Sequence, residues 1–170
     1  MIFNFKKHNS ELYNTLLHLS RNIFFYNKIK LSDTFETRIY LMFFHFSIMM
    51  IIFKKKNVKF NQKSYDSLFH NIENNLRENG LGDVAVNKKM KDLNKILYDI
   101  LLKIDNIGNL HFNLNNQLVF KYFKVLKDDK QHKYLHFESY FSGFYNFCFE
   151  LSLDNMIRDA INYEINYGSS

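Results

Sequence analysis

The chain has 170 residues, 46% of them apolar, with 19 Phe, 11 Tyr, five Gly and no Pro. That length fits a single domain burying ~70% of the surface its unfolded form exposes, and long regular elements with few sharp loops are expected. One cysteine, Cys148, excludes an internal disulfide and fits a reducing compartment. The net charge of +6 is uneven: from Glu138 onward five acids face Arg158 alone, so residues 1–137 hold +10. A basic body suits an anionic partner such as lipid headgroups, nucleic acid or an acidic protein, although 19 lysines against four arginines also suit a solvated surface.

The first twelve residues, MIFNFKKHNSEL, have neither the apolar core nor the cleavage site of a secretory signal, and no arginine precedes Arg21. Ser10 to about Tyr26 reads as a helix with Leu12, Leu16, Leu19 and Ile23 inward. After a basic connector, Asp33 is expected to cap a second helix, with Glu36 completing a capping box. Ile39–Phe53 (IYLMFFHFSIMMIIF) is apolar nearly all round and, at fifteen residues, short of the ~20 a bilayer span needs, so a core helix is the preferred reading. Lys54, Lys55, Lys56, Lys59 and Lys63 follow without an acid, a run suited to an anionic membrane surface or to a solvated loop.

Next comes a helical hairpin. Tyr65, Leu68, Phe69, Ile72 and Leu76 form one apolar stripe, with Ser64 as the expected cap and Asn79-Gly80 as the stop. Gly82-Asp83 opens a partner helix with Val86, Met90, Leu93, Leu97, Ile100 and Ile104 inward, and with Lys88, Asp92, Lys95, Asp99 and Lys103 on another face. Arg77, Glu78 and Asp83 then gather at the hairpin tip. Residues 106–116 read as an asparagine-rich loop, Gln117–Leu126 as a helix and Lys127–Lys130 as an exposed turn. Tyr134–Leu151 is an aromatic helix with a break expected near Gly143, and Asp154–Tyr163 a last amphipathic one. The expected fold is all-α: one domain over residues 1–170, six or seven helices around the central hairpin.

No catalytic constellation emerges. Gly80-Leu81-Gly82 follows no strand, so it is no phosphate loop, and no serine elbow or Cys-His arrangement is present. Asp33 and Glu36 alone are a thin magnesium site, His132 and His136 read as a surface pair, and His45 reads as a core histidine rather than a haem ligand. No enzyme, metal, cofactor or small-molecule substrate is expected.

Leu76-Arg77-Glu78-Asn79-Gly80-Leu81-Gly82-Asp83-Val84, followed by Val86, Lys88, Lys89 and Met90, resembles the signature of the ubiquinol–cytochrome c chaperone family. Asp33-Thr34-Phe35-Glu36-Thr37-Arg38, with His45 beyond it, is similar to that family's other marked segment. The resemblance is best over residues 26–105. It departs at Tyr98-Asp99-Ile100, where the family usually has a Gly-Arg pair. It implies an assembly factor for respiratory complex III that binds newly made cytochrome b, works from the cytoplasmic side of the inner membrane as a peripheral protein, and engages a small partner protein or ribosome. Arg38, Arg77, Glu78, Asp83, Lys88 and Lys89 are the expected client face, with Asp33, Gly80 and Gly82 as its structural corner. His45, two turns beyond Arg38, is expected beside the same groove. A clamp in which Arg77 holds Asp83 accounts equally well for these charges. A basic nucleic-acid-binding module is the alternative function.

Overall fold

The computed structural model describes residues 10–105 and 111–163. Among these the chain forms eight α-helices and one π-turn, and its sole β-bridge joins Asp105 to Leu114. The all-α expectation holds, with more and shorter pieces than the periodicity suggested.

Helix α1 (Glu11–Ser20) starts at Ser10, whose Oγ accepts from the Tyr13 N–H at 3.3 Å. It buries Leu12, Leu16 and Leu19 but stops six residues before Tyr26. Asn22 intervenes: its Oδ1 accepts the Phe24 N–H at 2.9 Å, a local bond that competes with continuation. The π-turn Phe24–Lys28 then drives Phe25 fully into the core and leaves Ile23 70% exposed. Burying a phenyl ring outweighs burying one isoleucine.

Helix α2 (Phe35–Lys55) is the axis, touching α1, a hairpin helix and an aromatic helix nearer the C-terminus. Its cap is Thr34 rather than Asp33: Thr34 Oγ1 accepts the Thr37 N–H at 3.2 Å. Asp33 is instead taken by Arg38, as described below. The helix extends beyond the apolar run at both ends to 21 residues, with a mean hydropathy of 1.4 in its most apolar window, so by length and composition it could cross a membrane. However, 67% of that window is buried inside the protein. The middle of α2 is covered from several sides: Phe43 meets Phe69 at 6.1 Å, Phe44 meets Phe123 at 5.2 Å, and His45 meets Phe141 and Phe144 at 4.8 Å. A helix covered over most of its surface needs no polar stripe.

The hairpin is α3 (Gln62–Glu78) and α4 (Asp83–Lys103). α3 begins earlier than expected because Asn61, not Ser64, caps it, its Oδ1 accepting the Ser64 N–H at 3.1 Å. It ends as expected at Gly80, where φ is +92°. Leu81 N–H bonds back to Leu76 O at 3.2 Å and Gly80 N–H to Arg77 O at 2.9 Å, the paired bonds of a glycine-stopped helix. Gly82 does not share this role, since its φ of −74° is open to any residue.

The expected helix over Gln117–Leu126 is two, α5 (Asn116–Tyr122) and α6 (Val125–Asp128). Phe123 leaves helical geometry at φ −124°, ψ 72° and packs its ring 5.0 Å from Phe137. Helix α7 (Lys133–Glu150) runs through Gly143 without a break, because that glycine accommodates the Tyr163 hydroxyl. The last expected helix shrinks to α8 (Met156–Asp159), anchored by buried Met156 and Ala160. Residues 106–110 of the asparagine-rich loop lie outside the described residues.

Candidate functional site

Ion pairs link the end of α3 to the start of α4, and α4 in turn to the first turn of α2. Arg38 donates to both oxygens of Asp33, Nε to Oδ1 at 2.7 Å and Nη2 to Oδ2 at 2.9 Å. Its guanidinium also lies over the Tyr26 ring, 5.6 Å from the centroid. The Arg38 hydrogen bond holds the Asp33 carboxyl below its usual range, and burial pushes the Tyr26 hydroxyl up to about 12 against the arginine's pull. Arg77 links the hairpin's two helices, bonding Asp83 across the corner and Glu73 one turn back at 3.1 Å. Asp83 thus sits in the first turn of α4, where its charge is favoured by the helix dipole, but it is not the cap; Gly82 is, with no side-chain bond.

Lys89 joins the two halves. Its Nζ is 3.3 Å from Glu36 and 5.2 Å from the centroid of Phe35, fastening α4 to the first turn of α2. Exposed ion pairs of this kind contribute ~0–1 kcal/mol each, so their main effect is to fix side chains in place. Glu78 and Lys88 remain on the exposed surface, and Val84 between them is 85% exposed.

The structure thus holds two ion-paired groups, Arg38 with Asp33 and Arg77 with Glu73 and Asp83, and Lys89 reaches Glu36 beside the first of them, while Glu78 and Lys88 stand exposed on the hairpin. Of the two glycines expected in the structural corner, only Gly80 requires its lack of a side chain; Gly82 has an ordinary φ and open space where a Cβ would stand. His45 is also not at this groove. It is fully buried, its Nδ1–H donating to Leu41 O at 2.6 Å while Nε2 accepts from the Tyr140 hydroxyl at 2.9 Å. Seven residues along a helix do return to nearly the same face, but α7 covers His45 whereas Arg38 lies at the exposed start. Glu73 was not foreseen, although its i, i+4 spacing to Arg77 is visible in the sequence.

The lysine run divides. Lys55 pairs with Asp105 at 3.3 Å and lies 5.0 Å from the Tyr145 ring centroid. Lys56 donates to the Phe149 and Leu151 carbonyls at 2.6 and 3.3 Å. These two tie α2 to the chain beyond it, while Lys54, Lys59 and Lys63 are exposed. On α4, Asp99 accepts from Lys103, Lys121 and Tyr122 at 2.5, 2.6 and 2.5 Å. Among the described residues no group of acids, histidines and cysteine is placed to hold a metal, and the exposed His132 and His136 form no such site. Cys148 is buried, which pushes its thiol up and away from reactivity.

The family model for the ubiquinol–cytochrome C chaperone matches residues 27–130, more than half of the chain. The chain belongs to that family. The match takes in α2, the corner and the whole hairpin, and extends past the resemblance in the sequence through α5 and α6. No curated protein and no solved structure matches the chain. Membership gives it a role in the assembly of respiratory complex III, with a protein as its client. The match stops before α7, the helix whose rings close the core around His45.

Proposed function

We propose that this protein binds newly made cytochrome b and holds it, without turnover, until its partner subunits join at the inner membrane. The observation that carries the reading is the ion-paired corner with Val84 exposed between Glu78 and Lys88. Arg38, Arg77 and Lys89 are already fixed by intramolecular partners, so little side-chain entropy is lost when a client docks beside them. An unassembled membrane protein offers loops and helix ends whose polar groups need partners, along with apolar surface for Val84. The protein is proposed to work peripherally from the cytoplasmic side, with Lys54, Lys59 and Lys63 on anionic lipid.

Glu78, Val84 and Lys88 are exposed at the corner and allow a test. Glu78→Lys and Val84→Asp/Lys88→Glu should melt like the parent protein, yet recover several-fold less cytochrome b in pull-downs from detergent-solubilised membranes. Undiminished recovery by both folded variants would reject the corner as the client face.

A further inference from the structure

Away from the corner, α5 and α6 enclose a groove of about 470 Å³ lined by Asn116, Gln117, Phe120, Lys121, Lys127 and Lys130. Three lysines, an asparagine and a glutamine are among its lining residues, and no carboxylate is. The nearest acids in the sequence are not among the lining residues. Asp128 is exposed, and Asp129 accepts from the His132 N–H at 3.2 Å and lies 3.3 Å from its ring Nδ1. Asp99 sits behind Lys121 and accepts from Lys103 as well, so one carboxylate serves two cations and that cluster keeps a net positive charge. Lys121 is thereby held in place, and Lys130 lies 5.4 Å from the Phe120 ring centroid. A lining with three lysines and no acid attracts an anion.

We propose that the α5–α6 groove binds a phosphate group. Lys121, Lys127 and Lys130 supply the charge, and the amides of Asn116 and Gln117 supply neutral donors to its oxygens. Lysine binds phosphate as a point charge, and amide donors fill the coordination that ammonium groups leave open. The phosphate is borne either by an anionic phospholipid headgroup or by a soluble phosphate ester. The site is separate from the client corner and stands or falls independently of it.

The test follows amide resonances of the full chain during titration with sn-glycerol 3-phosphate, alone and with vesicles of phosphatidylglycerol or phosphatidylcholine. The expected result is saturable shifts centred on residues 116–130. Competition by phosphatidylglycerol vesicles only assigns the site to a lipid headgroup; no competition assigns it to a soluble ester. Lys127→Ala/Lys130→Ala should weaken binding ~10-fold or more at an unchanged melting temperature, whereas Lys91→Ala/Lys95→Ala on α4 should not. Should the first variant melt early, Gln117→Glu puts a carboxylate into the lining without removing a cation and should give the same loss. Shifts that never saturate, or binding that survives both groove variants, would overturn the assignment.

Discussion

Acidification tests the core through His45. Burial pushes its pKa down from 6.5 to about 3, against the raising effect of the bond to Leu41 O. The folded state thus stays neutral where the unfolded chain accepts a proton. A folded pKa below the unfolded one means full stability above pH 6.5 and loss as pH falls, at about 1.4 kcal/mol per pH unit. Between pH 7 and pH 5 that amounts to roughly 2 kcal/mol, a large share of a domain's usual 5–15 kcal/mol. The carboxyls of Asp33 and Asp99 are both held below their usual range, Asp33 by Arg38 and Asp99, despite burial, by Lys103, Lys121 and Tyr122. Their contributions are lost only below about pH 4, outside this window. Urea unfolding followed by circular dichroism at pH 7, 6 and 5 should show the decline. His45→Gln, which cannot be protonated, should be less stable at pH 7 but flatter over the same range. If the variant loses stability with pH as steeply as the parent, the decline does not come from His45 and the reasoning fails.

The two corner glycines should behave differently: Gly80→Ala, at φ +92°, costs on the order of 1 kcal/mol, while Gly82→Ala leaves the melting temperature within a degree or two. Equal melting temperatures for the two variants would contradict this. Gly143→Ala should cost about 1–3 kcal/mol, because a Cβ there overlaps the Tyr163 hydroxyl, which is buried and bonded to Tyr140 O at 2.8 Å. Adding Tyr163→Phe should restore part of that loss in thermal melts. Lys54→Glu/Lys59→Glu/Lys63→Glu should lower binding to anionic vesicles more than tenfold at low salt, with no effect on neutral vesicles. Lys56→Ala should lower the melting temperature instead, since its ammonium group caps two carbonyls.

Much of this architecture is legible in one dimension. The stripe Leu68, Ile72 and Leu76, the stop at Gly80 and the inward set Val86, Leu93, Leu97 and Ile100 follow from helical period and from glycine's freedom at positive φ. The residues of the candidate corner are also legible, since Arg77-to-Asp83 is a local segment and Asp33-to-Arg38 another. Caps are less legible. Asp33 and Thr34, or Asn61 and Ser64, are chemically equivalent choices for an exposed N–H, and the choice turned on where other partners stood. Arg38 engaged Asp33 and left the cap to Thr34.

Sequence by itself determined the helical class, the hairpin and the sign of the surface charge, because these depend on residue spacing within about twenty positions. Tertiary structure alone decided which long-range partners met. Phe123 broke a helix to reach Phe44 and Phe137, Gly143 stayed helical because Tyr163 packs against it, and His45 was sealed by a helix 95 residues away. It also drew Lys55 and Lys56 out of a uniform basic run and brought Lys121, Lys127 and Lys130 around one groove. Burial free energy scales with the area two elements cover together, and no local window of sequence contains both surfaces.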